Sequence, residues 1–482
     1  MVEFRWWDWR HVARFAGVAV LGVSGCAVSP GEFARVSEAQ LAAGTPLPVR
    51  AIYEGGLRST VVGLIHHPVS STSAGLAGLK NRTRELFPTA GFPVDPGDAP
   101  DAHPPGTAGF EHYLDSLGIA APVHGTARFL VDGQAFFRRL DEELAAAEKS
   151  VDWMVYIFDN DDFSVHLADR LKARSREVKI RVMMDRLGSV MAGYSAPATP
   201  LPGGFVTPYS IAYYLEHQSK VHVRKHSNPW LVANHTKVLM FDRKVAFLGG
   251  MNIGREYLDE WHDMMVELRG PIVAHLAVDF DKSWRRTSYF GDLHLLDPRR
   301  PHPPRGTAAD GIPIRIIETA PWVYAIERAH VAAIRASRRQ IVVLTPYFTS
   351  EAIIVELQRA AERGVDVRVI LPRESDSEVM RLSNAESAAS LAERGVKIHQ
   401  FPGLMHLKAA IFDDWVCLGS ANMDTLSMRI NSEKNIAFSD PATVARFRQQ
   451  VVDRDLRRSP RISLKRLQAG RAGWIKLLGK QL

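Results

Sequence analysis

The sequence predicts an α/β protein in which one α/β unit is built twice. Three observations predict it: a helix–strand–helix–strand order that occurs twice, a His-x-Lys pattern that follows each copy, and a composition close to the globular average. The 482 residues (53.6 kDa) suffice for two or three domains, and 46% hydrophobic residues at a mean hydropathy of −0.11 supply a sizeable buried core. Wholesale disorder and a multi-span membrane protein do not fit these figures.

In chain order, residues 1–14 carry Arg5, Arg10 and Arg14, and the apolar stretch 15–23 is too short to cross a bilayer, which needs about 20 residues. This order reads as a signal peptide over 1–25. It ends in Val23-Ser24-Gly25-Cys26, which resembles a bacterial lipobox with Cys26 as the lipidated residue; a plain secretory signal is the alternative. Lipidation would place the protein in the bacterial cell envelope, anchored through Cys26 and facing the periplasm or exterior. Cys417 is the only other thiol, so no disulfide framework and no Cys/His zinc site is expected.

Residues 26–122 form an N-terminal extension, with six prolines and four glycines between 88 and 109. A first domain, 123–296, begins with a helix on Phe136, Leu140 and Leu144, followed by a strand over 151–158, a helix over 165–173 and a strand over 178–184. A Pro/Gly-rich stretch, 196–208, lies inside it. Pro298, Pro301, Pro303 and Pro304 mark a linker over 297–313. The second domain, 314–445, repeats the order with a helix over 326–336, a strand over 341–347, a helix over 352–363 and a strand over 365–371. Alternating strands and helices predict a largely parallel sheet covered by helices.

The basic balance, net +7 with a pI near 9.3, is local. Residues 446–482 hold eleven Lys and Arg against Asp453 and Asp455, a net +9, which leaves −2 for everything before them. Leu464, Leu467, Ile475 and Leu478 fall near helical spacing in this basic tail. It reads either as an amphipathic segment on anionic headgroups or as a docked C-terminal helix with a solvated basic face. An anionic membrane surface is the expected partner, nucleic acid is not, and no obligate protein partner is implied.

The chemistry-bearing repeat is HTKVLMFDRKVAFLGGMN from 235 and HLKAAIFDDWVCLGSAN from 406. Each contains His-x-Lys, an Asp five residues after the Lys, and Gly-x-x-Asn: His235, Lys237, Asp242 and Asn252 against His406, Lys408, Asp413 and Asn422. Apolar residues 238–241 and 409–412 mark a strand that would carry each pair, and period-2 geometry would aim His and Lys at one face. A neutral imidazole serves as nucleophile or proton carrier near pH 7, and an ammonium beside it holds a phosphate oxygen. Between Asp and the first Gly lie six residues in the first copy and five in the second, which predicts a trimmed hairpin turn.

These two HKD motifs, with TPYFTS (345–350), RGVDVRVILPRESDS (363–377), GGMNIGREYLDEWHD (249–263) and SMRINSEKN (427–435), resemble the phospholipase D superfamily, and bacterial cardiolipin synthases most. The likeness covers roughly residues 125–455. It implies two homologous phospholipase D-like α/β sandwich domains packed about a pseudo-twofold axis, with both His/Lys pairs facing one cleft. It further implies that each histidine is steadied by an acidic residue, at Asp263, 28 residues beyond His235, and at Glu433, 27 beyond His406.

The resemblance implies a two-step displacement on a phosphodiester. His235 would attack phosphorus to give a phosphohistidine, and His406 would protonate the leaving alcohol and then deprotonate the acceptor. Lys237, Lys408, Asn252 and Asn422 would hold the non-bridging oxygens, while Gly250 and Ser420 would let backbone approach the phosphate. Asp263 and Glu433 would fix the imidazole tautomers. No metal and no cofactor is expected. Asp242 and Asp413 read as structural, because Asp is favoured where a hairpin turns.

Other candidates are weaker. His262 would face away from Asp263 and reads as a core or surface histidine; His222 and His226 carry no clear role. Tyr347 and Phe348 would line an acyl groove or pack in the core, and Trp230 would sit at the cleft mouth or the lipid interface. The expected function is a membrane-associated phosphatidyltransferase of cardiolipin synthase type acting on glycerophospholipids. A phospholipase D hydrolase releasing phosphatidic acid shares every proposed residue. A nuclease is disfavoured by the near-neutral body, and a binding protein on an inactive fold by two complete motif sets.

Overall fold

The computed structural model describes residues 56–86, 103–192, 200–208, 210–228, 231–288, 291–292 and 311–469. The signal peptide, Cys26, Trp230, Ile475 and Leu478 lie outside the described residues.

Every predicted element of the repeat is present. The first copy runs through β1 (Val123–Val131), the helix Gly133–Ala146, β2 (Ser150–Val155), the helix Asp162–Arg174, β3 (Lys179–Asp185), β4 (His222–His226), β5 (Val238–Phe241), β6 (Val245–Gly249), β7 (Met264–Arg269) and the helix Pro271–Arg286. The second follows with β8 (Ile312–Ala320), β9 (Val323–Tyr324), the helix Ala325–Ala336, β10 (Gln340–Leu344), the helix Glu351–Glu362, β11 (Asp366–Pro372), the helix Glu378–Glu393, β12 (Lys397–Phe401), β13 (Ala409–Phe412), β14 (Trp415–Gly419) and β15 (Glu433–Phe438). Both β2 and β10 stop earlier than predicted, because the chain turns out of the sheet. The Ile157 amide donates to Asn252 Oδ1 at 3.1 Å, and Pro346 has no amide to donate.

One sheet joins the two copies. Outward from the central β1–β8 pair, the order is β7, β6, β5, β2, β3, β4 on one side and β15, β14, β13, β10, β11, β12 on the other. The halves therefore repeat the same strand order. The expectation of a largely parallel sheet does not hold: β2–β3–β4 and β10–β11–β12 are parallel, and the remaining ladders are antiparallel. Short turns after β5 and β13 permit only antiparallel pairing, whereas the parallel strands are linked through longer connections, most of them helical. The central strands β1 and β8 fall outside the predicted elements, and β8 begins within the stretch read as a linker. There Ile312 pairs with Gly125 and Ile314 with Val123.

The halves share an apolar layer. Met154, Val238, Ala246 and Leu248 from one half and Val342, Ala409, Val416 and Leu418 from the other join one buried cluster, completed by Leu276, Phe280, Phe447 and Val451. Each of the valines, leucines, methionine and phenylalanines among them contributes about 1.5–3 kcal/mol relative to exposure. Outer faces of the sheet are covered separately, around Phe136 and Leu140 in the first half and Ile334 and Leu357 in the second.

Segments read as appendages belong partly to the body. Phe110, Leu114 and Ile119 of the extension enter the second half's outer core, where buried Arg315 of β8 bonds Asp115 at 2.8 Å and Glu111 at 2.5 Å. The basic C-terminal segment is folded through residue 469: Val451 and Val452 are buried, and Leu467 docks on the second half's core.

Both motif aspartates staple a hairpin. Asp242 accepts the amides of Glu148, Lys149 and Ser150 at 2.7–2.9 Å, and Asp413 those of Arg338, Arg339 and Gln340 at 2.9–3.0 Å. Burial pushes the Asp242 carboxyl up, but the three amides outweigh it and hold it below its ordinary value. The missing residue of the second copy falls in the turn: 242–244 separate β5 from β6, and only 413 and 414 separate β13 from β14. The strands keep equivalent registers, Phe241 opposite Val245 and Phe412 opposite Trp415.

His262 is a core histidine. Its ring stacks on Phe401 at 4.8 Å between Asp132 and Asp455, which lie 2.5 and 2.9 Å from its two nitrogens. Burial works against the charged ring, but the two carboxylates outweigh it and raise its pKa to about 9. A raised folded-state pKa gives stability that is complete below the unfolded value, about 6.5, and lost as pH rises through about 9. Urea unfolding is predicted to show stability falling over that window by on the order of 1–3 kcal/mol, and His262→Gln is predicted to flatten the slope. An unchanged slope in the variant would remove this assignment.

Candidate active site

His235 and Lys237 lie immediately ahead of β5, and His406 and Lys408 immediately ahead of β13, in extended segments outside the strands that were expected to carry them. The reason is that these segments pair with the opposite half. The His235 amide donates to Ser432 O and the Ser432 amide to Ala233 O, both at 2.8 Å; the His406 amide donates to His262 O at 2.8 Å and the His262 amide to Leu404 O at 3.1 Å. Each histidine is thereby stitched to the residue just before the other half's acid.

The acids follow. His235 Nδ1 lies 3.0 Å from Glu433 Oε1 and 3.1 Å from Oε2, and His406 Nδ1 lies 2.7 Å from Asp263 Oδ2. Along the chain each acid trails its own half's histidine; in space the partners are exchanged between halves. A carboxylate only accepts, so Nδ1 carries the proton on both rings and each Nε2 keeps its lone pair. Lys408 Nζ sits 2.8 Å from His406 Nδ1, where that proton leaves it nothing to bond, and its donors turn instead to the His406 carbonyl. Lys237 Nζ likewise donates to the His235 carbonyl at 2.8 Å.

Burial dominates the electrostatics. It lowers His235 below its ordinary value, opposed by Glu433 and assisted by Lys237 and Lys408, which shows that the two sets share one field. Burial and then Lys408 bring His406 down to about 4, opposed by Asp263. Lys408 falls to about 8 and Lys237 falls well below its ordinary value, both through burial, with the carboxylates holding against it. Asp263 is pushed up by burial, but Lys408 and His406 keep it below the usual range. The free site therefore presents two neutral imidazoles beside two lysines.

The small residues serve the acids. A Cβ on Gly250 would lie 2.3 Å from Asp263 Oδ1, and Ser420 Oγ donates to Glu433 Oε2 at 2.5 Å. Room for the carboxylates, where room for a phosphate was expected, accounts for both. The asparagines also differ. Asn252 is tied to the Ile157 amide and, at 2.8 Å, to the Tyr257 hydroxyl, whereas Asn422 Oδ1 is buried with no protein partner.

Several neighbours escaped the sequence reading. The Tyr156 ring lies 4.7 Å from His235, and Tyr257 and Trp261 lie 5.3 and 5.4 Å from His406. Tyr347 approaches His406 at 6.5 Å with its hydroxyl on Asp376, whereas Phe348 is fully buried in the core. His222 is exposed on β4, and His226, opposite Asp185 in the β3–β4 ladder, is brought down to about 4 by burial. Asp185 accepts the Asn234 amide at 2.7 Å and is raised to about 6; Asp424 is raised to about 7; burial is the first cause of both. Both also cap helices, bonding the Gly188 and Ser427 amides, so in sequence they look like ordinary N-caps.

A family model described as "Cardiolipin synthase, PLD-like domain" matches residues 140–284 and 331–455, over half the chain and both motif copies. The chain belongs to the phospholipase D superfamily. This superfamily member is 28% identical over 366 residues to the probable cardiolipin synthase YwiE of Bacillus subtilis, covering 73% of this chain and 70% of that one. It is 29% identical over 344 residues to cardiolipin synthase A of Pseudomonas entomophila, covering 68% of each. In fold it resembles the phosphatidylserine synthase of Haemophilus influenzae, with a TM-score of 0.60 at 12% identity over 76% of this chain and 96% of that one. The protein is thus a phosphodiester-acting enzyme of this superfamily.

The exchanged pairing makes a separable prediction. In Asp263→Asn, imidazole NMR titration is predicted to move His406 still lower, since its raising carboxylate is gone, and to leave His235 in place. Movement of His235 in place of His406 would show that pairing stays within each half.

Proposed function

We propose that this enzyme is a membrane-associated phosphatidyltransferase of cardiolipin synthase type that works through a phosphohistidine. The observation that carries the proposal is the reciprocal pair of buried His–acid contacts, each with a lysine, in one shared field. The names of the relatives supply the glycerophospholipid substrates. The repeated strand order supports reading residues 123–296 and 314–445 as two homologous sandwich domains packed about a pseudo-twofold axis.

In the first step His235 Nε2 attacks phosphorus of the donor lipid, the P–O bond to the headgroup alcohol breaks, and His406 Nε2 gives that oxygen a proton. Entry of an anionic phosphodiester, with Asp263 behind the ring, raises His406 from its low free value, so that Nε2 takes up a proton from solvent and holds it for the leaving oxygen. In the second step His406 takes the proton of the acceptor alcohol, whose oxygen displaces His235 by breaking the P–N bond. Lys237, Lys408 and Asn422 would stabilise the charged five-coordinate transition state, and Asn252 would position Tyr257.

Membrane association is supported by the extension. Helices Ser59–His66 and Pro68–Leu86 expose Ile65, Val69, Leu76 and Leu79 at 55–69%, an apolar face that a soluble surface does not need. The same helices touch the loop that leads into His235. Ser59 Oγ accepts the Asn228 amide, and a Cβ on Gly78 would sit 3.5 Å from Val232. Among the described residues no helix is long and apolar enough to cross a membrane. Lipid would thus reach the cleft from the bilayer on which this face rests, with Cys26 as the anchor.

With phosphatidylglycerol vesicles, the purified protein is predicted to form cardiolipin and glycerol, and His235→Ala and His406→Ala are each predicted to lose about 10²–10⁴-fold in turnover with folding intact. Phosphatidic acid as the sole product would assign the hydrolase instead, and unchanged turnover in either variant would end the mechanism. In a vesicle-sedimentation assay, Ile65→Asp with Leu79→Asp is predicted to weaken binding about tenfold or more. Equal binding by the variant would discard the docking face.

A further inference from the structure

The expectation of no metal site rested on the lack of Cys/His spacing, and it passed over a group that only folding assembles. Asp159, Asp161 and Glu256 are 4–5% exposed, and one carboxylate oxygen from each lies within 4.8 Å of the others. We propose that Asp159, Asp161 and Glu256 bind a hard divalent cation, Ca²⁺ by the number of buried carboxylates, in the wall of the first half beside the His406 pocket.

Four observations support this. Glu256 Oε2 is buried with no hydrogen-bond partner, an acceptor left unsatisfied inside the cluster. Its carboxylate has a built space: a Cβ on Gly254 would come within 2.6 Å of both Glu256 oxygens. Asp161 is held in orientation by the amides of Ser164 and Arg255, each at 2.6 Å on a different oxygen, which leaves lone pairs on both for a ligand. And the fold does not require acids here. The Phe158–Ile253 bridge has its counterpart in the Phe348–Met423 bridge: at the offsets of Asp159 and Glu256 that half has Thr349 and Leu426, and at the helix N-cap that Asp161 fills it has Ser350, with Glu351 following as the first helical residue.

Without a cation the carboxyls repel. The all-oxygen donor set selects hard cations. Three protein carboxylates in one buried cage suit Ca²⁺, which takes six to eight oxygens at about 2.3–2.6 Å, whereas Mg²⁺ dehydrates reluctantly and is usually held by one or two carboxylates. Glu256 opens the π-helical turn Glu256–Glu260, and the next residue, Tyr257, meets His406 edge-on at 5.3 Å and bonds Asn252 at 2.8 Å. The cation would act as a positioning ion for that wall and takes no part in the displacement.

The test is calorimetric titration of the EDTA-treated full chain with CaCl₂, alongside thermal unfolding, with MgCl₂ as the comparison; neither readout depends on turnover. Ca²⁺ is expected to bind more tightly than Mg²⁺ and to raise Tm. Glu256→Gln and Gly254→Ala are each expected to weaken Ca²⁺ at least about tenfold while keeping the native circular dichroism spectrum. No heat and no Tm shift in the native chain up to about 10 mM Ca²⁺, beyond the range of weak calcium modules, would overturn the site whatever the variants do. Native affinity in both variants would place the ion elsewhere, and tighter Mg²⁺ binding would overturn the choice of Ca²⁺.

Discussion

The structure turns on a reciprocal exchange: each histidine is oriented by a carboxylate from the other half. A backbone bond from each histidine amide to the opposite half, at 2.8 Å, sets this up before any side chain is considered. Neither half holds a complete site, because the tautomer of His235 depends on Glu433 and that of His406 on Asp263. The shared apolar layer and the β1–β8 pair follow from the same constraint, since two rings can be aligned to within hydrogen-bond distance only if the halves cannot slide.

Burying this much charge is unfavourable unless every group has a partner. Two lysines, two histidines and two carboxylates form one set in which the carboxylates offset the burial of the lysines and the lysines repel one another and keep the rings neutral. Burial lowers both imidazoles and both lysines, and the carboxylates act against it. A phosphodiester entering this field meets cations already desolvated, which is worth more in a dry cleft than in water.

The halves are equivalent in topology and unequal in detail. Gly250 gives space to Asp263, whereas Ser420 spends a hydroxyl on Glu433; Asn252 is tied to Tyr257, whereas Asn422 keeps a free acceptor. The first half carries the buried acidic cluster, and the second takes Phe110, Leu114 and Leu467 from the flanking segments into its outer core. Such asymmetry suits a reaction in which one histidine forms the covalent bond and the other moves the proton.

Much of this was legible in the sequence, for a physical reason. Helix and strand periodicity is local, so the duplicated elements could be read from apolar spacing, and a repeated His-x-Lys is improbable without a shared task. The aspartates after each lysine announced a turn, and they sit in one, but their carboxylates hold the connections into β2 and β10. What sequence could not supply is anything set by contacts between distant segments. The strands β1 and β8 look unremarkable alone and matter only as a pair. The offsets from His235 to Asp263 and from His406 to Glu433 name the right acids and the wrong partners, since spacing along the chain carries no information about which half lies opposite. Asp159 and Glu256 lie in separate loops, and their carboxylates meet only because Phe158 pairs with Ile253. Sequence determined which residues recur in the two copies; tertiary structure decided who faces whom, because hydrogen bonds and burial depend on distance in space.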